Sequence, residues 1–283
     1  MTIVGENSRW QRLLYFYLPL AIFVVLLLFP FYWMVIVSLK PDQDLLNQNK
    51  NPFILLNPTL KHYRYLFQET EFVRWMQNSL IVTIGSTTLA LACSLLIGYA
   101  LGRFRFRGGN VMGAAIFIAY LVPPTLLFIP LAQIVSRFGL YNRYWALILV
   151  YPTFLIPFAS WLLMGYFQTI SHDLEDAALV DGASRLQAMR HVILPLAMPG
   201  ILSAGIFCFT LAWNEFLYAL VFMGTGEMKT VPVGVVSDLI KMDVYFWGPL
   251  MAAAVLGSVP VAIAYSFFVD NYVSGLTAGA TKG

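Results

Sequence analysis

The sequence predicts an all-α, polytopic membrane protein with about six transmembrane helices and one structured polar loop. Three observations carry that prediction. The chain of 283 residues is 59% hydrophobic, only 11% charged, and has a mean hydropathy of +0.74. Soluble domains carry about 25% charged residues. Its apolar runs, near residues 13–37, 77–101, 111–135, 144–165, 200–223 and 249–270, each exceed the roughly 20 residues a helix needs to cross a bilayer. They are continuous runs, not the short alternating segments of a β-barrel. The segment between the fourth and fifth runs holds Asp173, Glu175, Asp176, Asp181, Arg185 and Arg190, a set that hydrocarbon does not accommodate.

Residues 1–40 form an N-terminal segment and the first span. That span opens with Arg9 and Arg12 and lacks a small-residue cleavage site, so it reads as retained rather than as a signal peptide. Residues 41–75 form a polar loop whose turns are marked by Asn47, Asn49, Asn51, Pro52, Asn57 and Pro58. Within it, Phe53–Leu56 is expected to be a short buried piece. His62, Tyr63, Tyr65, Leu66 and Phe67 are expected on an amphipathic helix at the membrane interface. Residues 76–270 hold the remaining five spans, and 271–283 form a tail.

The third and fourth spans are interrupted by prolines: Pro123, Pro124 and Pro130, then Pro152 and Pro157. Broken helices can line a translocation path, although proline kinks are also ordinary in membrane helices. Gly98 and Gly102 have the spacing of a close-packed helix pair.

The loop at 166–200 has readable local structure. A helix is expected to start near Ser171, with Asp173, Glu175 and Asp176 offsetting the dipole in its first turn. Asp181-Gly182 ends it, because glycine tolerates a left-handed turn. Ser184 and Gln187 then have capping-box spacing for a second short helix, which Pro195 and Pro199 stop. From these residues alone the loop is either an ordinary, well-capped connector or a surface presented to a partner. Ala177, Ala178 and Ala183 keep it slim enough for a partner backbone to approach.

Glu215 is the acid expected deep within a span, about 22 Å from Gly200 along a continuous helix at 1.5 Å per residue. An ionisable group there is either a site on a water-lined path or a member of a structural hydrogen bond.

Other classes find no support. Neither a phosphate-binding Gly-x-x-x-x-Gly-Lys-Ser/Thr loop nor a His-Glu-x-x-His zinc motif occurs. Two cysteines, Cys93 and Cys208, give no disulfide framework. No catalytic residue, metal or cofactor is expected. The net charge of +3 does not indicate nucleic acid. Charge placement leaves orientation open. With six spans, eight Lys and Arg fall on the side of the termini and nine on the other.

The spacing Asp176-Ala177-Ala178, three residues, Gly182, nine residues, Val192, then Leu194-Pro195 resembles the Glu-Ala-Ala cytoplasmic loop of bacterial ABC importer permeases. Asp176 stands where that family usually has Glu, and Val192 where it usually has Ile. Trp213-Asn214-Glu215-Phe216, the region from Glu227 to Val233 and the tail Gly275–Gly283 resemble the carbohydrate branch, in particular the smaller permease subunit of maltose importers.

That resemblance implies a multi-pass protein of the bacterial cytoplasmic (inner) membrane with both termini cytoplasmic. It implies that Glu175, Asp176, Ala177, Ala178, Asp181, Gly182, Ala183 and Pro195 form a coupling loop that docks on an ATPase. The loop at 224–246 would then face the periplasm, and the tail would contact the ATPases. Implied partners are a second homologous permease, two cytoplasmic ATPase subunits, and a periplasmic or lipid-anchored binding protein delivering a carbohydrate or related polyol. Trp213, Asn214, Glu215 and Tyr218 would line the substrate path. A proton-coupled carrier working through Glu215 without an ATPase is the alternative, and a scaffold that recruits a partner through the 166–200 loop is a more distant one.

Overall fold

The computed structural model describes residues 9–47, 49–242 and 244–280, with side chains from residue 10 to 266. Four helices are long and apolar enough to cross a membrane: Trp10–Leu39, Phe72–Arg103, Tyr144–Thr169 and Trp247–Ser266. Two bent pairs bring the number to six if each is one span. The chain divides into two compact units, residues 1–70 with 237–258, and residues 71–236 with 259–283.

In the first unit the helix Leu18–Leu39 follows a π-helical turn, Leu13–Tyr17. Pro19 lacks an N–H and crowds the carbonyl four residues back, and the wider π turn accommodates it. The helix Lys61–Glu69 buries His62 and Leu66, and a His62 ring nitrogen lies 2.7 Å from the Lys40 carbonyl oxygen. Phe53–Leu56 is not the buried piece the sequence suggests. Phe53, Ile54 and Leu56 are exposed, and the Phe53 ring rests against Trp33 at 5.6 Å. An isolated apolar tetrapeptide has too little chain to build its own cover.

The second unit is built on the pairing of Phe72–Arg103 with Pro152–Thr169. Gly98 and Gly102 make the approach possible. A Cβ on Gly98 would stand 2.9 Å from the Leu163 Cβ, and one on Gly102 would stand 3.0 Å from the Met164 carbonyl oxygen. The small-residue spacing is therefore a packing seam.

The third span breaks sharply. Gly109–Leu121 and Pro124–Arg137 meet at 89° across Val122 and Pro123. The fourth counts as one span, Tyr144–Thr169, and its helix is interrupted once, at Tyr151, between Tyr144–Val150 and Pro152–Thr169. Pro152 sits in the first turn of Pro152–Thr169, where a missing N–H costs least, and Pro157 is carried inside that helix. The fifth span is preceded by a bend and falls short of its expected length. The segment from Arg185 stops at Leu196, before Pro199, as the sequence suggests, and carries Pro195 one residue from its end. A π turn at Met189–Ile193 absorbs that proline, and the chain bends by 76° between Arg185–Leu196 and Met198–Trp213. The span helix then ends at Trp213, short of residue 223.

A candidate coupling loop tied to the second span

Ser171 caps the first loop helix, His172–Val180, by accepting from the Asp173 N–H at 3.2 Å. Gly182 ends it at φ +89°, where the Gly182 N–H donates to the Leu179 carbonyl at 3.1 Å and the Ala183 N–H to the Ala178 carbonyl at 3.0 Å. This pair of bonds is the Schellman closure, which uses a left-handed residue. Ser184 then opens Arg185–Ala188 with both bonds of a capping box. Helix, turn, helix forms where the local chemistry put it.

Helical spacing divides the expected coupling residues between two faces. Asp176, Ala177, Asp181, Gly182 and Pro195 are exposed, while Ala178 and Ala183 are half-buried. Leu174, Val180 and Leu186 add exposed apolar surface. Glu175 belongs to the other face. It is 4% exposed and points into the protein.

There Glu175 meets a set of donors that the sequence reading did not connect to it. The Tyr99 hydroxyl donates to Oε1 at 2.6 Å, and Arg103 Nε donates to Oε2 at 2.7 Å. The Arg103 side chain is fully buried. Its remaining nitrogens donate to the carbonyls of Ile170 at 2.6 Å, Ser171 at 3.2 Å and Phe167 at 3.4 Å. One guanidinium thus joins the end of the second span, the end of the fourth and the start of the loop helix. Burial works to raise the Glu175 carboxyl. The bonds from Tyr99 and Arg103 outweigh it and hold the group below the ordinary glutamate range. Arg185 stands 3.9 Å away, mostly in solvent, and adds little.

The opposite end of the same long helix carries a second loop. Trp75 Nε1 donates to the Gly226 carbonyl, and Asn78 Nδ2 to those of Glu227 and Lys229. Residues 75 and 103 are about 40 Å apart at 1.5 Å per residue. That exceeds the roughly 30 Å hydrocarbon thickness, so the two loops belong to opposite membrane faces.

The substrate-path candidates do not fall together. A cavity of about 460 Å³ is lined by Tyr120, Thr125, Thr153, Phe154, Phe207, Glu215 and Tyr218. Trp213 is buried beside Phe209 and Asn214 donates its amide to the Thr210 carbonyl; neither lines the cavity. Glu215 stands in a break, not inside a helix. Its Oε1 accepts from the Tyr218 N–H at 2.9 Å. Its Oε2 accepts from the Ala219 N–H at 3.1 Å and the Tyr151 hydroxyl at 2.8 Å. It therefore caps the short helix Leu217–Phe222, a role legible only in the weak hint that an acid favours a helix start.

Comparison with known proteins decides the family. Residues 94–277 match the binding-protein-dependent transport system inner membrane components. The chain belongs to that family. It is 36% identical to the inner membrane ABC transporter permease protein YcjP of Escherichia coli (strain K12), over 99% of this chain and all of that one. It is 34% identical to the trehalose/maltose transport system permease protein MalG of Thermococcus litoralis, over 92% of this chain and 93% of that one. A solved structure of a bacterial ABC transporter that imports the polysaccharide alginate shares the fold, with a TM-score of 0.81 at 22% identity, covering 95% of this chain and 99% of that one. This permease is a multi-pass inner membrane transport component, not a catalyst.

Proposed function

We propose that this permease pairs with a second, homologous permease to form the translocation path of an ATP-driven importer for a carbohydrate or related polyol. Two cytoplasmic ATPase subunits hydrolyse the ATP, and a binding protein delivers the substrate from the other face. Relatives named for trehalose/maltose and for sulfoquinovosyl glycerol support the substrate class. Both termini and the 166–200 loop are cytoplasmic in this reading, and the loop at 224–246 faces the periplasm.

One observation carries the coupling role. The loop offers exposed Asp176, Val180 and Leu186 outward while a buried ion pair ties its inner face to two span ends. A partner that moves the outer face moves the spans with it. ATP acts through its differential affinity for the inward-open and outward-open states, because a ligand shifts an equilibrium only by that difference. The tail's side chains beyond 266 and residues 281–283, expected to touch the ATPases, lie outside the described residues.

Gly182→Asp in cells expressing the whole transporter tests the reading. A Cβ at Gly182 meets nothing within 4 Å, so the substitution acts on the turn and on the docking face. Membrane-bound ATPase and labelled sugar uptake should fall together while the permease still inserts. Persistence of both would make the loop a mere connector. Uptake by this chain alone in liposomes, driven by a proton gradient without ATP, would return the proton-coupled alternative.

A further inference from the structure

The link between the second and third spans, residues 104–108, carries charge that the coupling role does not use. Arg105 and Arg107 are exposed and have no ion pair or hydrogen bond among the described residues. Together with Arg103, Asn110, Gln168 and His172 they line a cavity of about 580 Å³ whose lining includes no carboxylate. Arg103 is already committed to Glu175 and three carbonyls, so Arg105 and Arg107 are the available cations.

Their place in the fold selects the anion. Both lie between the ends of two membrane helices, Phe72–Arg103 and Gly109–Leu121, and so at the level of the headgroups. Phe106 lies between them and is exposed, as aromatics are at an interface, while Phe104 packs on Tyr99 and under Arg185. From the cavity, exposed Val111, Met112 and Ile118 run along the third span toward the membrane interior. A phosphate on a guanidinium pair, continued by an acyl chain on an apolar strip, satisfies both halves of this surface.

We propose that this cavity binds the phosphate of an anionic membrane lipid, with Arg105 and Arg107 as its ligands. The site stands on the spans and the cavity, and does not depend on the coupling reading.

The test is native mass spectrometry of the full-length permease titrated with phosphatidylglycerol. A basic side chain at an anionic surface gives about a fivefold preference, so the Arg105→Gln, Arg107→Gln double variant should bind it about 25-fold more weakly. Phosphatidylcholine should bind weakly to both proteins. Millimolar inorganic phosphate should not displace phosphatidylglycerol. Equal retention by wild type and variant would overturn the proposal. Displacement by inorganic phosphate would also overturn it, assigning a small soluble anion instead. Arg137→Gln, Arg143→Gln, at another loop, should bind as wild type; an equal loss there would reduce the effect to overall charge and refute the site. If the double variant fails to insert, Arg107→Gln alone should show about a fivefold loss, and no loss would refute the assignment.

Discussion

Glu175→Ala should release the 166–200 loop from the membrane spans without unfolding them. The substitution leaves the fully buried Arg103 guanidinium without its counter-ion and the Tyr99 hydroxyl without its acceptor. Breaking a buried pair by removing one partner costs about 3–5 kcal/mol. The lower end applies here, because Arg103 keeps its three carbonyl acceptors. Both side chains are almost fully buried but line an open cleft with Asp176 and Arg185, a further reason for the lower end. At 1.36 kcal/mol per tenfold change, about 3 kcal/mol is a loss of roughly 150-fold in protection against opening. The assay is hydrogen exchange of the amides in His172–Val180, with amides of Pro152–Thr169 as the internal reference. Loop protection should collapse while the reference holds. A change of less than about threefold in the loop would refute the claim that this ion pair holds it. Uptake should fall with loop protection even where insertion is normal.

Further outcomes follow from the same geometry. Because the Glu175 carboxyl is held low, its contribution is complete above the ordinary glutamate value of 4.5 and is lost as pH falls through the depressed folded value. Loop protection should therefore drop only at acidic pH below that value, and Glu175→Gln should abolish that pH step in hydrogen exchange. Gly182→Ala should cost about 1–2 kcal/mol through the left-handed backbone alone, read as faster exchange of the Ala183 amide, with Gly182→Asn milder. Gly98→Val should be worse than Gly102→Ala or Gly182→Ala, because its side chain meets Leu163 across the helix seam; lower yield and lower thermal stability in detergent would register it. Glu215→Ala should orphan the Tyr151 hydroxyl and uncap Leu217–Phe222 for about 2–3 kcal/mol, and whatever uptake remains should still require ATP.

Much of this was legible because it is local. The apolar runs set the spans by length, and the break at Val122-Pro123 followed from consecutive prolines. Ser171, Gly182, Ser184 and Gln187 set the loop's two helices, since a cap or a left-handed turn involves residues within a few positions of each other. The failures share one cause. Pro152 and Pro157 both suggest a break, but the interruption falls only at Tyr151, before Pro152, and Pro157 is carried inside the helix that follows. Phe53–Leu56 is apolar enough to suggest a short buried piece, but burial needs a surface to pack against.

The sequence by itself determined that this chain crosses a membrane several times and presents a capped helix-turn-helix between its fourth and fifth spans. Tertiary structure alone decided which face of that loop is free. Glu175 and Asp176 are adjacent acids with no local feature to separate their roles. Only the arrival of Arg103, 72 residues away, turns one into a buried tether and leaves the other outside. The same holds for Glu215, whose partner Tyr151 lies 64 residues earlier. Caps and spans depend on neighbours in sequence; the pairing of a buried charge depends on which distant donor the packing brings to it.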